Sequence, residues 1–174
     1  MEYTFTLKYR LLPADQNVDD LIGRLGAEGC DDALVGVGQP GRMALEFTRE
    51  ADSARDALQS ALADVKRAMP AAQLFEAAPD FVGLSDVAQV VGVSRQNLRK
   101  LMLSHAASFP APVHDGSTAV WHLADMLDWL HATLAYPLEP VTLDIARTIK
   151  QVNLVKQAEQ ISPASEKQLR LLVA

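Results

Sequence analysis

Between "DVAQVV" and "RQNLRKLML" the chain has only Gly92, Val93 and Ser94 in which to change direction. Both flanking stretches carry apolar residues at helical spacing, so the short connection brings two helices into a close crossing. Ser85 is expected to cap the first helix, Gly92 to end it in the left-handed conformation, and Ser94 to cap the second. Ala88 then sits where the helices approach, and Val87, Val91, Val93, Leu98 and Leu101 supply the apolar contact between them. The second helix is left with Arg95, Gln96, Asn97, Arg99 and Lys100 on its exposed face.

Those side chains suit a nucleic-acid groove. Arginine pairs with guanine through two hydrogen bonds, glutamine and asparagine do the same with adenine, and lysine neutralises phosphate. Past the turn, "FPAPVHDGSTAVWHLADMLDWL" has a proline-containing segment, a hairpin signal at Asp115-Gly116, a strand ending in an aromatic residue, and a helix with Leu123, Met126, Leu127, Leu130 and Leu134 on one stripe. In this order, residues 81 to 134 resemble the winged helix-turn-helix of bacterial excisionase-type and MerR-like regulators. The resemblance implies double-stranded DNA as partner and transcription regulation as function. It assigns contact to Ser94, Arg95, Gln96, Asn97, Arg99 and Lys100 on the second helix, and to His114 and Ser117 on the wing. One departure stands out: many such proteins carry an arginine after the strand aromatic, and here that residue is His122.

The first half is patterned differently. In "EYTFTLKYRL", Tyr3, Phe5, Leu7, Tyr9 and Leu11 alternate with Thr4, Thr6, Lys8 and Arg10, which predicts a strand with one buried face. Val18, Leu21, Ile22 and Leu25 predict a helix capped by Asn17 and stopped at Gly29. "ALVGV" and "RMALEF" around "GQPG" predict a hairpin. "SARDALQSALADVKRAM" predicts a helix with Ala54, Leu58, Ala61, Leu62, Val65 and Met69 inward, and "QLFEA" a last strand. The order strand, helix, strand, strand, helix, strand resembles the ferredoxin-like split βαβ unit, a fold that by itself fixes no function.

"AAPDFVG" breaks the pattern as a linker. The expected organisation is α+β: a ferredoxin-like βαββαβ sandwich over 1–79 for sensing or partner binding, a winged helix-turn-helix over 80–136, and C-terminal amphipathic helices over 137–174. Thr142 is the expected cap of a helix outside both domains, with Ile145, Ile149, Val152 and Val155 on one face; Ser162-Pro163 opens another with Leu169, Leu172 and Val173. These helices either make a homodimer, the favoured reading, or pack on their own chain.

Charge bears on the partner. Residues 1 to 80 hold 8 basic and 14 acidic side chains, a net −6, while 81 to 174 hold 8 of each. The acidity therefore belongs to the first half, and phosphate contacts act within about 10 Å, so a local basic strip suffices. No apolar run has the length of a membrane span and the N-terminus lacks a signal pattern, so a cytoplasmic location and no membrane partner are expected. The lone Cys30 excludes an internal disulfide and a cysteine-cluster zinc site and is expected to be a small packed residue. His105, His114, His122 and His131 lack metal-ligand spacing and are expected to be solvent-exposed or to cap helices. "GVGQPG" lacks the lysine and following helix of a phosphate loop, and Asp31-Asp32 reads as a solvated loop. No catalytic set assembles, so neither enzyme activity nor a metal or cofactor is expected. Two readings of function remain: a sequence-specific dimeric DNA-binding regulator, and an adaptor or antitoxin-like protein acting on a protein partner through the acidic residues 1–78.

Overall fold

The computed structural model describes residues 1–15 and 17–173 of an α+β chain. Strand β1 (Glu2–Arg10) buries Tyr3, Phe5, Leu7 and Tyr9 on one face, as its alternation requires. It lies between β3 (Arg42–Glu50) and β4 (Gln73–Ala78), and β2 (Ala33–Gly36) pairs with the outer side of β3. The order β2-β3-β1-β4 is antiparallel throughout. Leu74 pairs with Tyr9 and Glu76 with Lys8, so Phe75 is the extra residue of a bulge in the edge strand.

Helices α1 (Val18–Ala27) and α2 (Ala54–Ala68) share a core with the inward face of this sheet. Asn17 and Ser53 cap them, each accepting the backbone N–H three residues on. The buried stripe of α2 is mostly alanine, Ala54, Ala57, Ala61 and Ala68, with Leu58 and Val65 among them. Beside them, buried Arg49 donates two hydrogen bonds to Asp32, at 2.6 and 2.9 Å, one to Asp64 at 2.7 Å and one to the Gly29 carbonyl at 2.8 Å. The expectation of a solvated Asp31-Asp32 loop is corrected for Asp32, because a guanidinium buried this far needs carboxylate partners.

Residues 81–134 form a second core. Two-residue strands β5 (Phe81–Val82) and β6 (Trp121–His122) pair antiparallel, and α3 (Leu84–Val91), α4 (Arg95–Ser104) and α5 (Leu123–Leu134) pack with them. Val87, Ala88, Val91 and Leu98 meet Leu123, Met126, Leu127 and Leu130 there, as the apolar spacing predicts.

The next helix, α6 (Pro140–Ala158), departs from the sequence reading twice. It begins at Pro140 after Glu139, so Thr142 is not its cap; proline fits the first helical position, where no N–H is needed. It also does not lie outside the two halves. Leu143 and Ala146 enter the second core, while Ile145 and Ile149, roughly a third of a turn round the helix, enter the first. Arg147 and Lys150 pair with Asp128 and Asp125 of α5. The last helix, α7 (Pro163–Val173), has no buried residue.

Where α6 meets the linker, Asn153 is fully buried and accepts the Ala77 N–H at 2.9 Å. It donates to the Ala77 carbonyl and to Asp80 Oδ2, both at 2.8 Å. The other oxygen of Asp80 lies 2.7 Å from His122 Nδ1, and since a carboxylate only accepts, the imidazole donates. His122, in β6, holds the N-cap position of α5 as a capping residue, but its buried side chain makes no cap hydrogen bond and is spent on Asp80 of the linker; the expectation of an exposed or capping histidine is corrected as to exposure. Replacing Asn153→Leu keeps the volume but leaves both Ala77 backbone groups and one Asp80 oxygen unpaired, a cost of about 3 kcal/mol or more. Urea unfolding followed by the fluorescence of Trp121 and Trp129 should show the midpoint fall accordingly; an unchanged midpoint contradicts the assignment.

Candidate nucleic-acid interface

Gly92 ends α3 at φ 71° and ψ 30°, in the left-handed region, and the Val93 N–H returns to the Ala88 carbonyl at 2.9 Å. Ser94 then accepts the Asn97 N–H at 3.1 Å and starts α4. The front cap differs from expectation. Helix α3 starts two residues earlier than that cap implies, at Leu84, and Ser85 lies inside its first turn. The cap is Gly83, whose N–H donates to Asp86 Oδ2 at 2.8 Å: the acid at the third helical position reaches back to the chain entering the helix.

Leu98 holds α4 down, with Leu101 and Met102 partly buried beside it. The opposite side is open: Arg95, Gln96, Asn97, Arg99 and Lys100 are all exposed. Gln96, Arg99, Lys100 and Leu103 share one stripe at i, i+3, i+4 and i+7, and Leu103 is 65% exposed. Leucine was not among the expected contact residues; its apolar spacing from Leu98 is wrong for the core, and that was the available signal. Helix α4 contains no acidic residue, and its three cations make no ion pair among the described residues. By contrast, Arg24, Arg49, Arg67, Arg147 and Arg170 are each paired with a carboxylate.

An aromatic cluster fixes the chain leaving α4. Phe109 stands edge-on to Trp129 and Trp121, with ring centres 5.0 and 6.2 Å apart, and His105 meets the Trp129 edge at 5.6 Å. Trp121 Nε1 donates to the Pro110 carbonyl. From this anchor the chain runs out to a single bridge between His114 and Val120, closed by an exposed loop over 115–118. The Asp115-Gly116 pair thus stands within a longer loop instead of forming a two-residue turn. The structure brings Ser94, Arg95, Gln96, Asn97, Arg99 and Lys100 together on one helix, with the Ser94 hydroxyl engaged in its cap. His114 and Ser117 stand on the separate loop, and no hydrogen bond joins the two groups among the described residues.

Other chemistry is sparse. No group of three or more His, Cys, Asp or Glu side chains suited to a metal occurs among the described residues. Cys30 is buried, and burial, with nearby Asp64, pushes its thiol up to about 11, away from reactivity at neutral pH. No described helix is long and apolar enough to cross a membrane. Comparison with protein-family models, curated proteins and solved structures finds no match to this chain.

A Cβ added at Gly92 would meet no atom within 4 Å, so the requirement for glycine is conformational and not steric. Gly92→Val should therefore destabilise the fold by about 1 to 3 kcal/mol. Thermal unfolding followed by tryptophan fluorescence reads this, and an unchanged melting temperature would place the strain elsewhere.

Proposed function

We propose that the protein is a sequence-specific DNA-binding transcriptional regulator in which α4 enters the major groove and the 115–118 loop lies against the phosphate backbone. The carrying observation is the state of the α4 cations: Arg95, Arg99 and Lys100 are exposed and unpaired on one helix, in a chain with a net charge of −6 whose carboxylates engage half of its arginines. A free guanidinium beside exposed Gln96 and Asn97 is the donor set that reads guanine and adenine edges. Pairing of β5 with β6, the outward loop after α4 and the closing helix α5 support a winged helix over 80–136. The β1-α1-β2-β3-α2-β4 order with strands ordered β2-β3-β1-β4 supports a ferredoxin-like unit over 1–79, acting as the sensing or partner-binding module.

Three cations on the α4 of one copy give limited affinity at physiological salt, so the active species is a homodimer. Because α6 is engaged within its own chain, this role passes to α7. Its Leu169, Leu171, Leu172 and Val173 are 50 to 81% exposed. Between α2 and α6 runs a groove of about 760 Å³ with Leu62, Leu74, Val152 and Val155 in its lining and Arg55, Gln59, Gln151 and Lys156 among its polar residues. An amphipathic helix from a second copy fits such a groove by its apolar face. A mutual exchange closes the assembly at two copies.

The test starts from duplexes selected by the purified protein. Arg95→Ala and Arg99→Ala should each lose about 1 to 3 kcal/mol on the selected site and relax specificity there, with less effect on random duplex. The selected site should be an inverted repeat with half-sites about 34 Å apart. Leu169→Asp with Leu172→Asp should give a monomer in sedimentation that binds only a half-site, since α7 covers no core. Equal losses on selected and random DNA would remove base reading; a double variant that stays dimeric would remove α7 from the interface.

A further inference from the structure

At the end of the sheet away from Asn153, the strand register places Arg10 and Arg42 directly opposite each other. Both lie on the face of the sheet opposite Tyr9 and Met43, so the two guanidinium groups leave the same side of adjacent strands. Side chains in directly opposed positions have Cβ atoms about 5 Å apart, and like charges there repel. The surrounding half of the chain is rich in acids, yet neither arginine has a carboxylate within ion-pair distance among the described residues. The bulge at Phe75 turns an aromatic ring to this spot, and the Arg42 guanidinium lies 5.5 Å from its centre. That ring braces one guanidinium without neutralising it.

The two arginines line a concavity of about 580 Å³ whose other walls are Leu11, Leu12, Pro13, Pro40, Gly41 and Phe75. The β2–β3 loop is tied to the chain leaving β1, because the Leu11 N–H donates to the Gly41 carbonyl at 2.9 Å, and Gly41 holds φ 74°. Paired cations with an unmet charge, apolar walls of leucine and proline, and loops fixed to each other describe a receptor for an anion with an apolar body. We propose that this concavity is a binding site for a small organic anion, its carboxylate or phosphate group held between Arg10 and Arg42 and its apolar part set against Leu12, Pro13 and Pro40. The site gives the sensing module a ligand class, and in that respect it rests on the reading of residues 1–79 as a sensor. It does not depend on what α4 binds.

The experiment is amide-resolved NMR titration of the full chain at low salt with phenyl phosphate, inorganic phosphate and the neutral benzyl alcohol. Phenyl phosphate should give saturable shifts at Arg10, Leu11, Leu12, Gly41, Arg42 and Phe75, with inorganic phosphate weaker and benzyl alcohol without effect. Arg10→Gln and Arg42→Gln should each weaken phenyl phosphate at least about tenfold, the loss expected for one charge-assisted contact. In the free protein, Arg10→Gln should raise the melting temperature at low salt, a gain that fades as salt screens the pair. Shifts that do not saturate, that appear equally at Arg95 and Arg99, or that survive Arg10→Gln would overturn the site. A site confirmed here alongside DNA affinity unchanged by phenyl phosphate would keep the anion site and remove the sensor reading; the reverse pattern would remove the site alone.

Discussion

Asp80 is a carboxylate with no exposure of its side chain to water, and the arrangement of the two halves depends on how it is satisfied. Leaving such a group unpaired in a protein interior costs several kcal/mol, so its partners must arrive together. They come from distant parts of the chain: His122 at the end of β6 and Asn153 on α6, while the Asp80 backbone carbonyl accepts the Leu123 N–H that opens α5. Asn153 also uses its remaining amide capacity on the Ala77 backbone, completing an edge position of β4. One residue in the linker is thus held by the strand before α5, the start of α5 and the helix that crosses both cores, and that helix also grips the sheet's exit strand.

This clamp changes what the linker can be. A proline-containing stretch between two cores ordinarily permits relative motion of the parts. Here α6 fills both cores, ion-pairs to α5 and anchors the linker carboxylate, so the exposed cations of α4 ride on a framework continuous with the four-stranded sheet. A ligand or partner that shifts β1 or β4 has a packed route to the second core through α6 and α5. The exposed α7 is the element left free by that arrangement, and its apolar residues carry no share of either core.

Local rules made much of this legible in the sequence. The alternation at Tyr3, Phe5, Leu7 and Tyr9 marked the central strand, Asn17 and Ser94 marked helix starts, and Gly92 marked a left-handed turn, because each depends on neighbours within a few residues. The α4 side chains were likewise readable as an exposed set. The contacts that fix the whole were not. Asp80, His122 and Asn153 lie 31 to 73 residues apart, and nothing local distinguishes a buried amide from a solvated one. Helix α6 hid its role because it carries two apolar stripes for two cores, which a search for one stripe reads as a single outward face. Arg10 and Arg42 became neighbours only through register, and Arg49 only through the fold that gathers Asp32 and Asp64.

The most direct test of the clamp is native-state hydrogen exchange at the amides it holds. With the clamp in place, Ala77 in β4, bonded to Asn153, and Leu123, bonded to the Asp80 carbonyl, are expected to open with the same free energy as Leu7 in β1 and Leu127 in α5, as one cooperative unit. Exchange of Leu123 and Leu127 at a distinctly lower opening free energy, with Leu7 still protected, would contradict it and show two halves that unfold independently.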